Sequence, residues 1–178
     1  MAGWATRVNG GEASGSRCGE VGAAVLGLLC DHAAVGVRVR LLLGGLGSLR
    51  VRHPQLDRLR ATGGEVAFFA PPLHGGGNLR NHRKLVAADK GLATSRLWCG
   101  GRNLASEYFN GTAGMPPWRD LSFDLRGPLV QQVGRLFARD WALANRLPMQ
   151  ERPAEGFDYG YPSDGAQFVA SGPDQIDD

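Results

Sequence analysis

The stretch NLRNHRKLVAAD, residues Asn78–Asp89, places a histidine, a lysine and an aspartate at short intervals. Its second half, RKLVAAD, predicts a strand. Side chains of a strand alternate between two faces, so His82 and Lys84 are expected on one face, with Cα atoms roughly 6.5–7 Å apart. Side by side, the lysine could hold phosphate oxygens and the histidine could act as nucleophile or proton carrier. Asp89, at the end of the strand, could orient an imidazole or neutralise charge.

The same residue types also occur in ordinary basic strands that face solvent. On residue types alone, this second interpretation is favoured over an active site. Gly100 and Gly101 follow downstream and permit close backbone approach, and Asn103 follows as a neutral donor and acceptor. The wider sequence therefore has to separate the two interpretations.

The elements around this stretch predict an α/β fold. Helices alternate with strands in the first half of the chain, which is typical of a largely parallel sheet flanked by helices. The predicted helices cover residues 19–34, 54–62 and 128–146, and the predicted strands cover 37–43, 65–70, 83–89, 96–101 and 119–125.

Apolar spacing predicts which side of each helix is buried. The first helix is expected to bury Val21, Ala24, Val25, Leu28 and Leu29. The helix after Pro54 is expected to bury Leu56 and Leu59. The last helix carries the longest apolar face, formed by Leu129, Val130, Val133, Leu136, Phe137, Trp141 and Ala144.

Bulk composition sets limits on function. The 178 residues suit one domain, and a net charge of +3 permits an anionic partner without requiring one. The three cysteines are odd in number and form no CxxC pair, so neither a disulfide framework nor a zinc knuckle is expected. No apolar run is long enough to span a bilayer. We expect no metal and no cofactor.

The spacing His82-x-Lys84-x4-Asp89, followed by Gly100-Gly101-x-Asn103, resembles the HKD motif of the phospholipase D superfamily. Further blocks, GGRNLASEYFNG, WRDLSFDLRGPLV and LFARDW, are similar to the first half of bacterial cardiolipin synthase-like proteins. The resemblance runs from about Trp4 to Trp141, and the tail AQFVASGPD resembles the start of the second half. It implies half of a phospholipase D-like α/β/α sandwich, with a mixed, mostly parallel sheet.

Two departures from the family pattern concern the surroundings of the motif. Gly44 stands where the family usually carries an acidic residue after the strand, so a supporting group is lost. The interval between Asp89 and Gly100 is a few residues longer than expected, and it could shift Gly100 and Asn103.

The resemblance implies a two-histidine mechanism. One histidine attacks the phosphodiester and forms a phosphohistidine, and the other protonates the leaving alcohol and then activates the acceptor. His82 would be one of these two, with Lys84 and Asn103 as phosphate ligands and Asp89 in a supporting role. The implied reaction passes a phosphatidyl group between phosphatidylglycerol molecules. It implies a cytoplasmic protein, peripheral at the inner membrane surface.

The chain contains one HKD motif, because no second His-x-Lys occurs in it. We therefore expect residues 1–146 to be one phospholipase D-like repeat, 147–166 a linker, and 167–178 the truncated start of a second repeat. Such a half-site would be inactive alone and would need a second HKD half. The alternative is a symmetric dimer that brings two copies of His82 together.

Two other functions stay open. The first is a homodimeric phosphodiesterase or nuclease. The net charge of +3 is small, and the sequence lacks a dense stripe of basic residues with stacking aromatic side chains. Nucleic acid is therefore the less favoured partner. The second is a non-catalytic domain that binds phosphate head groups or a partner protein, which the glycine at position 44 favours.

Overall fold

The computed structural model describes residues 3–8, 20–44, 54–69, 83–89, 92–104 and 106–147. The elements in this part of the chain are, in order, β1 (Gly3–Val8), α1 (Glu20–Ala34), β2 (Arg38–Gly44), α2 (Pro54–Ala61), β3 (Glu65–Phe69), β4 (Lys84–Ala88), β5 (Arg96–Gly100), α3 (Ser106–Phe109), β6 (Ser122–Arg126) and α4 (Pro128–Ala144).

The six strands form one mixed sheet in the order β3-β2-β1-β4-β5-β6. Strands β1, β2 and β3 are parallel, whereas β4 is antiparallel to β1 and to β5, and β5 is antiparallel to β6. The mixed α/β class is therefore confirmed, but the sheet is not mostly parallel, because two of its five strand pairings are parallel and three are antiparallel. Strands β4 and β5 are antiparallel because the turn that joins them is too short for a parallel crossover.

Both faces of the sheet are covered, as an α/β/α sandwich requires. Strand β2 contributes to two cores, since Val39 and Leu41 pack with α1 and α2 while Leu42 packs with α4. Leu56 and Leu59 of α2 are buried as predicted. The buried residues on the α4 side are Leu42, Ala67, Leu85, Ala87, Leu97, Val130, Val133, Phe137 and Trp141.

The buried face is predicted correctly for α4 and wrongly for α1. In α4, Val130, Val133, Leu136, Phe137 and Trp141 are buried. Helix α1 buries a face rotated from the predicted one, formed by Gly22, Leu26, Leu29, Cys30 and Ala33, and Leu28 is 60% exposed. Helix α1 is apolar almost all round, so its spacing does not single out one face; the neighbouring elements decide it.

Strand β1 and the single turn α3 are absent from the sequence-based prediction. Strand β1 lies between β2 and β4, with Gly3 opposite Arg38 and Trp4 opposite Ala88. Its sequence GWATRV is short and begins with glycine, so only its two neighbours reveal it as a strand. Apart from Leu147, the expected linker, residues 147–166, and the expected start of a second repeat, residues 167–178, lie outside the described residues.

The corrected face of α1 makes a prediction about stability. Leu29→Ala removes a side chain that is 5% exposed and should lower the free energy of unfolding by about 2–5 kcal/mol. Leu28→Ala, one residue away, should change it by less than about 0.5 kcal/mol. Chemical denaturation of both variants measures this, and equal losses would mean that α1 is rotated from the orientation described.

Candidate functional site

Lys84 is the first residue of β4, and strand pairing sets it opposite Gly100, the last residue of β5. The following residue, Leu85, packs against α4, so alternation directs Lys84 to the opposite face of the sheet. Lys84 is half-buried. Desolvation lowers the pKa of its ammonium group, and the negative charge of Asp120 acts against this by raising it. Lys84 is thus a partly desolvated cation next to a carboxylate.

Arg83 supports this assignment of faces. Its Nη1 lies 3.5 Å from Oδ2 of Asp140 on α4, and Asp140 is only 4% exposed. The Arg83 side chain therefore extends to the α4 side, while Lys84 extends to the other. Asp140 lies in the LFARDW block, so that block has a structural role in fixing the start of β4.

Gly100 and Gly101 permit the last segment before β6 to lie directly against the end of β5. A Cβ at Gly100 would lie 2.5 Å from the carbonyl oxygen of Leu121, and one at Gly101 would lie 2.6 Å from both carboxylate oxygens of Asp120. A side chain at Gly100 would push this segment away, and one at Gly101 would displace the Asp120 carboxylate. The glycine pair is therefore required for the approach of Asp120, and its role in phosphate binding stays a prediction.

Asp120 is a site residue that the sequence did not single out. Its Oδ1 accepts a hydrogen bond of 2.6 Å from the backbone N–H of Leu121, and its carboxylate faces Gly101 and acts electrostatically on Lys84. In the sequence Asp120 lies 36 residues after Lys84, within the block WRDLSFDLRGPLV. The position of Asp120 just before β6 could have predicted this contact. Because β6 begins opposite Gly100, an acidic residue just before it has to lie near the motif.

Asn103, the predicted phosphate ligand, is held by α3. Its Nδ2 donates a hydrogen bond of 3.1 Å to the hydroxyl oxygen of Tyr108. Its Oδ1 is buried and has no hydrogen-bond partner within the described part of the chain. The neighbouring Arg102 places its guanidinium 5.5 Å from the ring centroid of Phe109.

Asp89 lies at the opposite end of β4 from Lys84. Four residues lie between them, and at about 3.3 Å per residue step the two Cα atoms are roughly 16 Å apart. Oδ2 of Asp89 accepts a hydrogen bond of 3.0 Å from the hydroxyl of Thr94, and its carbonyl oxygen accepts one of 2.9 Å from the N–H of Leu92. These contacts stabilise the turn between β4 and β5, which suits the supporting role implied for Asp89. A catalytic role for it stays a prediction.

The remaining sequence predictions have different outcomes. His82 lies outside the described residues, so its placement beside Lys84 stays a prediction. Gly44 is the last residue of β2. Despite the longer interval after Asp89, β4 and β5 pair without interruption from Lys84–Gly100 to Ala88–Arg96.

Within the ranges given above, helices are too short or too polar to cross a membrane. Among the same residues, His, Cys, Asp and Glu form no group of three or more that could hold a metal ion.

The chain is similar in sequence to bacterial proteins named cardiolipin synthase. The chain is 37% identical over 156 residues to "Cardiolipin synthase A" of Pseudomonas aeruginosa, which covers 82% of this chain. It is 32% identical over 162 residues to "Cardiolipin synthase" of Geobacillus kaustophilus, and 30% identical over 168 residues to that of Clostridium perfringens. The similarity to these relatives covers most of this chain. The chain itself spans 29%, 32% and 34% of their respective lengths.

Solved structures support the fold. The crystal structure of polyphosphate kinase from Porphyromonas gingivalis matches 83% of this chain and 22% of its own, with a TM-score of 0.53 and 16% sequence identity. At that identity the likeness concerns the fold alone, and it agrees with a phospholipase D-like α/β arrangement. No family model matches the chain.

The proximity of Asp120 to Lys84 makes a prediction about proton binding. Asp120→Asn removes a negative charge that favours the ammonium form, so the pKa of Lys84 should fall further below its ordinary value of 10.5. Titration of the Lys84 side chain by NMR measures the change. Asp124→Asn is the matched control, since Asp124 pairs with Arg96. A Lys84 pKa that stays constant or rises in Asp120→Asn would show that the carboxylate does not act on this lysine.

Proposed function

We propose that this chain supplies one HKD half of a phospholipase D-type phosphatidyltransferase, which passes a phosphatidyl group between phosphatidylglycerol molecules. The observation that carries the proposal is the pairing of Lys84 with Gly100, which sets a partly desolvated ammonium beside the segment from Gly100 to Asn103. The similarity to proteins named cardiolipin synthase selects the substrate class.

Lys84 is proposed to bind the phosphoryl oxygens. An ammonium group that has already lost part of its hydration binds an anion with less further desolvation. Desolvation lowers the pKa of Lys84, and the carboxylate of Asp120 acts against this by favouring the charged ammonium. Asn103 is proposed as a neutral second donor to the same phosphate group.

His82 is proposed as the nucleophile or as its acid–base partner. In the first step, a ring nitrogen of one histidine forms a bond to phosphorus while the phosphorus–oxygen bond to glycerol breaks. The second histidine gives its proton to that leaving oxygen. In the second step, the same histidine takes the proton of a phosphatidylglycerol hydroxyl, which attacks phosphorus and releases the first imidazole. Charge on the phosphoryl group is balanced by Lys84.

The second histidine is proposed to come from another HKD motif. The sequence contains one His-x-Lys, so the second motif belongs either to a second copy or to a further part of a longer protein. The lipid substrate also requires contact with a membrane surface, and we propose a peripheral location at the inner membrane.

The proposal predicts activity that depends on His82. The purified chain is incubated with fluorescent phosphatidylglycerol and, separately, with bis-p-nitrophenyl phosphate, and its mass is measured by light scattering on the same sample. His82→Ala should lower any turnover by about 100-fold or more. His53→Ala, the same substitution at a histidine without an assigned role, should leave turnover unchanged.

The mass distinguishes the two sources of the second motif. A dimer with turnover means that two copies complete the site, and a monomer without turnover means that another half is required. In the second case, adding a second half with its own HKD motif should produce cardiolipin. Turnover that persists in His82→Ala, or failure of the added half to produce activity, would contradict the proposal and favour a non-catalytic phosphate-binding domain.

A further inference from the structure

The single turn α3 holds the segment that follows Gly101 through two aromatic side chains. Tyr108 contacts the side-chain amide of Asn103, and Phe109 lies against the guanidinium of Arg102. Neither aromatic residue has a role in the mechanism above. Their contacts with two consecutive polar residues next to the glycine pair indicate that α3 fixes the shape of this segment.

One polar atom of the Asn103 side-chain amide has a hydrogen-bond partner, and the other has none among the described residues. Nδ2 donates to the Tyr108 hydroxyl, whereas Oδ1 is buried and unpartnered within the described residues. A buried carbonyl without a donor is costly, and the two ends of an amide are nearly identical in shape. Rotating the amide by half a turn lets the Tyr108 O–H donate to Oδ1. The NH2 group then takes the unpartnered position and becomes a donor that still needs an acceptor, a requirement that the oxygen of a bound phosphate would meet.

We propose that Tyr108 is a positioning residue that fixes the Asn103 amide with its NH2 group directed to the substrate phosphate. A hydroxyl can donate or accept, so Tyr108 can hold either orientation, and a bound anion selects the one in which it donates. This inference rests on the proposed function, since it assumes that Asn103 is a phosphate ligand. It adds Tyr108 as the residue that determines whether Asn103 presents its NH2 group or its carbonyl oxygen to the phosphate.

The Tyr108 ring is itself held in place. It lies 4.9 Å from the ring of Trp118, measured between centroids, with an interplanar angle of 59°. The backbone N–H of Trp118 also donates a hydrogen bond of 3.3 Å to the carbonyl oxygen of Glu107. Because phenylalanine keeps the ring, Tyr108→Phe retains the contact with Trp118 and removes only the hydroxyl.

A double-mutant cycle tests the inference with inorganic phosphate as the probe. Affinity is measured by NMR titration of the whole 178-residue chain for wild type, Tyr108→Phe, Asn103→Ala and the double variant. Loss of an oriented donor to an anion should weaken phosphate binding by about tenfold in Tyr108→Phe. In the Asn103→Ala background, Tyr108→Phe should cause no further loss, because Tyr108 acts through Asn103. Thermal unfolding of each variant confirms that it folds.

Two controls separate a positioning role from other effects. Tyr159→Phe removes the same hydroxyl from a tyrosine without an assigned role and should keep wild-type affinity. Lys84→Ala should weaken binding whether or not Tyr108 has a role. The inference is overturned, and the proposed function kept, if Lys84→Ala weakens binding while Tyr108→Phe does not. The inference is also overturned if Tyr108→Phe lowers the affinity for phosphate equally in wild type and in the Asn103→Ala variant. If wild type binds no phosphate, both fail.

Discussion

The register between β4 and β5 is the constraint on which the site depends. Setting Lys84 opposite Gly100 places Leu85, Ala87 and Leu97 in the core beneath α4. A slip of one residue would exchange the two faces, burying Lys84 among apolar side chains and exposing the leucines. The same apolar packing that stabilises the sheet therefore keeps the ammonium of Lys84 on the face away from α4. Folding and the placement of the charge have one physical cause.

Two further contacts make this register specific. Arg83 forms an ion pair with the buried carboxylate of Asp140, which fixes the start of β4 on α4. A buried carboxylate without its cation is strongly destabilising, so alternatives that move Arg83 to the other face are disfavoured. At the end of β5, the glycine pair allows Leu121 and Asp120 to approach where any Cβ would collide. Lys84 is thus held between a fixed strand start and a carboxylate.

Much of the fold follows from local patterns, and the exceptions follow from tertiary contacts. Helix α4 is amphipathic, and five of its seven predicted residues are buried because one orientation alone hides them from water, while Leu129 and Ala144 are partly buried. Helix α1 is apolar almost all round, so the choice between Leu28 and Leu29 depends on β2 and α2. Strand β1 is recognisable only between its two partners.

The residues of the candidate site likewise divide into those that the sequence predicts and those that only the structure reveals. Spacing along one strand marked Lys84, and sequence similarity added Asn103, while His82 stays a prediction outside the described residues. Asp120 and Tyr108 reach the site through the pairing of β6 with β5 and through the turn α3, and neither contact is encoded in local spacing. Side chains such as Asp120 and Tyr108, which act on the charge of Lys84 or the orientation of Asn103, therefore become recognisable only in the three-dimensional structure.

The central claim is that Lys84 binds the phosphate of the substrate, and the most direct test is the pKa of Lys84 with and without inorganic phosphate. NMR titration of the lysine side chain in the intact chain provides this value. A bound anion favours the charged form, so the account predicts that saturating phosphate raises the pKa of Lys84 from its lowered value toward or above 10.5. A Lys84 pKa that does not change at saturating phosphate would contradict it.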